Sequence, residues 1–179
     1  HISDKILESD NTIDCKNLII LPGVIDSQVH FREPGLEGKE TLSSGMLAAI
    51  SGGVTSIFEM PNTNPLTITP ETIADKLSRA ARGAWTDYAF YLGGTQRTSS
   101  NLSEWENLLG VCGIKIFMGA STGDLMTATD EEVEAVVSNG SRVIAVHAED
   151  QMIMMENMKT ILGNSNDVAK HCEWRSPES

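Results

Sequence analysis

LPGVIDSQVHFREPG, residues 21–35, decides how the rest of the chain is read. Pro22-Gly23 punctuates its start, and the β-branched Val24 and Ile25 open a buried strand over 24–30. Polar groups crowd its end: Asp26, Gln28, His30, Arg32 and Glu33. Gln28, His30 and Arg32 alternate, so an extended strand places all three on one face. An amide, an imidazole and a guanidinium are costly to bury together without partners. A polar surface strand would show the same alternation. The apolar start and the Pro34-Gly35 turn favour instead a metal or substrate site at the C-terminal end of a strand.

Downstream the pattern repeats. Residues 39–51 carry Leu42, Met46, Leu47, Ala49 and Ile50 at helical spacing and stop at Gly52-Gly53. A second strand over 54–60 leads into the loop Pro61-Asn62-Thr63-Asn64-Pro65, and Thr69-Pro70 starts a helix that runs to about Arg82. Further strands are expected over 88–92, 114–118 and 142–147, the fourth closing in the loop 119–123. Helices are expected over 102–109 and from Thr129, whose spacing to Glu132 makes a capping box. The helix over 150–162 is rich in methionine (Met152, Met154, Met155, Met158), read as core packing. Upstream, Lys5-Ile6-Leu7 and Leu18-Ile19-Ile20 read as short strands around a turn.

Strand starts near 24, 54, 88, 114 and 142 give five strand–helix units about 30 residues apart. Such alternation means a parallel sheet with helical crossovers, either an open doubly wound sheet or a (β/α)8 barrel. No GxGxxG follows the first strand and no GxxxxGK[ST] occurs, which disfavours the nucleotide-binding open sheets.

A net charge of −12 argues against nucleic acid or an anionic membrane as partner. No apolar run is long enough for a transmembrane helix, and no signal peptide is visible. Cys15, Cys112 and Cys172 are too scattered for a disulfide framework or a metal knuckle, and read as free thiols in a reducing cytoplasm.

Position singles out the chemistry. His30 ends the first strand, Asn62 follows the second, Lys115 lies in the fourth and His147 ends the fifth. In a parallel α/β architecture these ends face one way, and in a barrel that face carries the active site. Either histidine alone reads as an ordinary partnered side chain; both at one edge, with a lysine and an asparagine, do not. Lys115 sits between Ile114 and Ile116. Its stem could snorkel to the rim, its amine could serve Schiff-base chemistry, or CO2 could carboxylate it to a carbamate that bridges two divalent ions.

Four strings, GVIDSQVHFREPG (23–35), GGVTSIFEMPNTNP (52–65), GIKIFMGASTG (113–123) and VIAVHAED (143–150), together resemble the dihydroorotase branch of the amidohydrolase superfamily. The resemblance implies that residues 21–179 are part of a (β/α)8 TIM barrel, about five βα units. Residues 1–20 would be a short β segment of a small composite β domain. It implies reversible hydrolysis of the cyclic amide of dihydroorotate to N-carbamoyl-L-aspartate, a step of pyrimidine biosynthesis. His30, Lys115 and His147 would ligate metal, Lys115 as a carbamate bridging two zinc ions. Arg32 would bind the substrate carboxylate and Asn62 would hold the substrate. A divalent ion lowers the pKa of bound water to about 7 and polarises a carbonyl. An arginine fork suits a carboxylate, which favours dihydroorotate over allantoin or hydantoins.

The chain also departs from that pattern. Gln28 stands where the family has the first histidine of HxH, so it enters the metal set as a weaker, neutral ligand. This motivates an alternative, a catalytically inactive dihydroorotase-like scaffold for a transcarbamoylase; the other alternative is an allantoinase- or hydantoinase-type enzyme. The sixth-strand histidine and the eighth-strand aspartate, the expected general base, have no counterpart before Ser179. A barrel needs roughly 200 residues or more, so the sequence reads as the N-terminal part of a longer cytoplasmic enzyme. Its expected partners are a small-molecule substrate and either a homodimer or a transcarbamoylase complex.

Overall fold

Five runs rich in β-branched and aromatic residues become strands in the computed structural model, which describes residues 8–119, 123–163 and 167–179. They are β1 (Val24–Val29), β2 (Val54–Glu59), β3 (Asp87–Gly93), β4 (Val111–Phe117) and β5 (Ile144–His147). Four helices cross between them: α1 (Leu42–Ser51), α2 (Pro70–Ala81), α3 (Leu102–Trp105) and α4 (Asp130–Val137). Beyond β5 lie α5 (Gln151–Asn157), a π-helical stretch (Met158–Leu162) and α6 (His171–Trp174). Every strand pair is parallel, and the order in the sheet is the order in the chain. An open doubly wound sheet reverses direction at a switch point; this one keeps adding neighbours on the same side and curls into about half of a (β/α)8 barrel.

Capping decides where the helices begin. Thr41, Thr69 and Thr129 each accept the N3 backbone N–H, while the N3 side chain returns to the cap in a reciprocal box. Pro70 occupies the first turn of α2, where its missing N–H costs nothing. The core lies between sheet and helices. Ile57, Phe90, Leu92, Ile114 and Ile116 pack there against Leu42 and Met46 of α1, Ile73 of α2 and Val136 of α4. Each such side chain contributes about 1.5–3 kcal/mol by leaving water.

Several boundaries differ from the sequence expectation. β1 stops at Val29, and its pairing with β2 slips once between Val24 and Ile25 and again between Asp26 and Val29. Helix α1 starts at Leu42 because Thr41, not a residue near 39, supplies the cap. Leu18-Ile19-Ile20 forms no strand, and Ile19 is 88 % exposed. Lys5-Ile6-Leu7 and residues 120–122 of the loop after β4 lie outside the described residues. The methionine helix changes to π geometry after Asn157, and only Met154 is buried; Met152, Met155 and Met158 are exposed, so the core-packing reading holds for one of the four. Among the described residues no helix is long and apolar enough to cross a membrane.

Candidate metal and substrate site

Alternation along β4 sends Ile114 and Ile116 into the helix-side core, leaving Lys115 and Phe117 on the opposite face. Register carries this face across the sheet: Lys115 pairs with Gly93 and Ala145, and Phe117 with His147. Lys115 is only 2 % exposed, which rules out a snorkelling stem. Its Nζ lies 4.9 Å from the centroid of the Phe117 ring. Burial alone pulls its pKa below the ordinary lysine value, and no ion pair offsets it among the described residues. A buried amine held towards its neutral form is the reactive form for carbonyl carbon or CO2.

His30 follows β1 directly. Its Nδ1 lies 2.7 Å from Asn62 Oδ1, in the loop after β2. An amide oxygen only accepts, so the proton sits on Nδ1 and Nε2 keeps a free lone pair. Burial holds the His30 pKa down, opposed by the Asn62 hydrogen bond and reinforced by the nearby charges of Arg32, Lys115 and Lys76. A neutral imidazole is the ligand form.

His147 is the last residue of β5. Its Nε2 meets the Glu149 carboxylate, which Arg175 grips through Nε at 2.8 Å and through Nη2. Arg175 keeps the Glu149 carboxyl below its usual range, against burial and with help from His147. With Nε2 donating to a carboxylate, Nδ1 is the nitrogen left for a ligand bond. Sequence reasoning passed over both Glu149 and Arg175. The visible signal was the carboxylate two residues past a strand-end histidine; Arg175 carries no local signal, since its partner lies 26 residues away.

Arg32 corrects the expected common face. The strand ends at Val29, and Arg32 takes a left-handed backbone with φ 76°, so alternation does not reach it. That conformation costs a non-glycine residue about 1–3 kcal/mol. No ion pair joins its guanidinium to a carboxylate among the described residues. Gln28 stays in β1, exposed, with its backbone N–H bonded to Asp26 Oδ1 at 3.0 Å.

The loops after β1 and β2 are laced together. Asn64 N donates to Pro34 O at 2.9 Å. A Cβ on Gly35, at φ +88°, would fall 2.0 Å from Asn64 O, so the approach needs glycine. Thr63 Oγ1 is buried and donates to Pro65 O at 2.8 Å. Arg32 and Asn62 are therefore carried by two mutually braced loops.

Among the described residues no three His, Cys, Asp or Glu side chains gather closely enough to hold an ion. The available donors are His30 Nε2, His147 Nδ1 and the Lys115 amine, on the C-terminal ends of β1, β5 and β4. Two imidazoles suit a borderline divalent ion, and a carboxylated Lys115 would add the anion that the set lacks. Burial raises the Cys112 thiol to about 12, which removes it as a nucleophile.

The amidohydrolase family model matches residues 19–177. The dihydroorotase of Thermococcus kodakarensis is 38 % identical over 158 residues, 87 % of this chain and 36 % of that enzyme. Among solved structures, the L-hydantoinase (dihydropyrimidinase) from Arthrobacter aurescens superposes with a TM-score of 0.86 at 29 % identity, over 97 % of this chain and 40 % of that one. The inactive dihydroorotase-like domain of the Chaetomium thermophilum CAD-like multifunctional protein gives 0.59 at 18 %, over 81 % and 43 %, a likeness of fold alone. The chain thus spans about a third of the length of the curated relatives it matches.

Proposed function

Because the chain belongs to the amidohydrolase family, we propose that the whole protein hydrolyses a cyclic amide, interconverting dihydroorotate and N-carbamoyl-L-aspartate in pyrimidine biosynthesis. The observation that carries the choice of substrate is Arg32, an unpaired guanidinium held beside His30 and braced against the Asn62 loop. Dihydroorotate bears a ring carboxylate that a guanidinium fork binds through two parallel hydrogen bonds. The likeness to a dihydroorotase over most of this chain supports the same choice.

In this reading His30 and His147 hold divalent ions through the nitrogens that Asn62 and Glu149 leave free. Gln28, one alternation before His30, adds a weak neutral donor. Lys115 would take up CO2, its amine nitrogen bonding to the carbon as one proton leaves, and the resulting anionic carbamate would serve beside the two imidazoles as a ligand for divalent ions such as zinc. Bound ions would supply an acidified water and polarise the amide carbonyl. Asn62 spends its oxygen on His30 and turns its NH2 to the substrate. We also assign residues 1–20 to a small β domain completed elsewhere; exposed Ile13, Leu18, Ile19 and Ile20 support an apolar face awaiting cover. A cytoplasmic setting fits the free Cys15, Cys112 and Cys172, and a homodimer or a transcarbamoylase complex completes the proposal.

Elemental analysis of the whole protein together with a substrate panel tests this. About two divalent ions per chain and turnover of dihydroorotate are expected. Turnover of hydantoins or allantoin alone would move the assignment to that sister chemistry. Gln28 favours a second reading, an inactive scaffold. No bound metal and no turnover would support it, whereas metal content rising in Gln28→His would show a weakened but genuine site.

A further inference from the structure

The Arg32 loop rests on a pair of charges that the proposed chemistry does not use. Glu59, the last residue of β2, is 1 % exposed, and Lys76 of α2 is fully buried. The Lys76 ammonium donates to the Glu59 carboxylate and to Met60 O at 3.0 Å, and lies 5.2 Å from the Phe90 ring centroid. A dry ion pair is an expensive way to fill space, since apolar side chains of similar volume serve stability as well or better. Its presence calls for a local reason.

The neighbours of the pair supply one. Glu59 stands in register with Val29, and Met60 N donates to Val29 O at 3.0 Å, so the chain leaving β1 passes over the carboxylate. Burial raises the Glu59 pKa; Lys76 and the backbone N–H groups of Phe31 and Arg32 work against that and favour the anion. Phe31 is wedged from the other side, because a Cβ on Gly45 of α1 would meet its ring at 2.5 Å. One turn from Lys76 on the same helix face, Arg79 reaches Glu33 at 3.5 Å, and Glu33 in turn accepts Leu42 N–H at 2.8 Å. Helix α2 therefore sends one cation beneath Arg32 and another to the residue just after it. The Lys76 bond to Met60 O braces the start of the Asn62 loop as well.

We propose that Glu59 and Lys76 are positioning residues for substrate recognition: the buried pair holds the Phe31–Arg32 backbone in the turn that aims the Arg32 guanidinium at a substrate carboxylate. This rests on Arg32 meeting that carboxylate, as proposed above. Neither residue touches substrate. Their effect is on the affinity for a carboxylated ring, not on the bond-breaking step.

The test uses the whole, metal-loaded protein with Glu59→Gln, Lys76→Met and the apolar pair Glu59→Leu/Lys76→Met, which refills the space should a single change fail to fold. Kinetics on dihydroorotate are combined with binding of orotate and of uracil, planar rings with and without the carboxylate. KM should rise roughly 10- to 100-fold while kcat moves less than about threefold. Orotate affinity should fall in step, with uracil affinity and metal content unchanged. In an Arg32→Met background, Glu59→Gln should add nothing further. Equal losses for orotate and uracil, or additive effects of the two changes, would overturn the positioning role. Should Arg32→Met alone leave orotate affinity intact, the carboxylate reading of the site falls, and the proposal with it.

Discussion

Arg32, to which we assign the substrate carboxylate, carries a backbone strain that the fold itself does not need. At φ 76° it occupies a region where only glycine sits without strain. Arg32→Gly should therefore raise unfolding stability by about 1 kcal/mol while kcat/KM for a carboxylated substrate falls. Arg32→Ala should lose the same activity with no such gain. Denaturant titration of both variants beside their kinetics checks this, and equal stability of the two would remove strain from the account. The strand-end residues were legible because period and chain position are local: His30, Asn62, Lys115 and His147 stand where the repeat places them. The direction of Arg32 was not, since alternation presumes extended backbone. Glu59 with Lys76, and Glu149 with Arg175, were missed because their meaning lies in partners 17 and 26 residues away.

At the scale of elements, α3 and β5 are joined by one carboxylate. Glu106, just past α3, accepts Ser141 N–H at 3.0 Å, the Ser141 hydroxyl, and Arg142 N–H at 3.0 Å. Arg142 Nη1 donates onward to Val111 O at 2.7 Å, tying the entry of β5 to the start of β4. Burial pushes the Glu106 pKa up, but these hydrogen bonds outweigh it and leave the carboxyl below its ordinary value of 4.5. A folded pKa below the unfolded one stabilises the fold above the unfolded value, and that stability drains away as pH falls through the folded value. Glu106→Gln should thus lower stability at neutral pH and flatten the loss of stability below about 4.5. Circular dichroism during acid titration reads both; an unchanged acid limb would place the acid sensitivity elsewhere. The helix expected over 102–109 lasts one turn: past Trp105, Asn107 N–H and Leu108 N–H bond back three residues to Glu104 O and Trp105 O, Gly110 turns to φ 82°, and Leu109 is left 88 % exposed.

Across the whole molecule, burial is uneven. β3 and β4 are buried over most of their length, whereas β1 is half-exposed or exposed throughout and β5 has no fully buried residue. Hydrogen exchange on residues 1–179 taken alone should be slowest in β3 and β4 and faster in β1 and β5; equal protection across the five would show that burial among these strands does not set their protection. The five strand–helix units were readable because a parallel sheet with helical crossovers leaves a regular rhythm of apolar runs and caps. That rhythm alone left barrel and open sheet level, because strand neighbours are set by contacts far apart in the chain; the four motif strings pointed to the barrel, and the sheet order agrees. Sheet order equal to chain order has a temporal side too. Each strand after the first finds its partner already synthesised, so the sheet can grow one unit at a time behind the ribosome. Among these five strands none waits for a later one to be inserted between it and its neighbour, so each added unit covers the edge left by the one before, while the outer edge of β1 stays open.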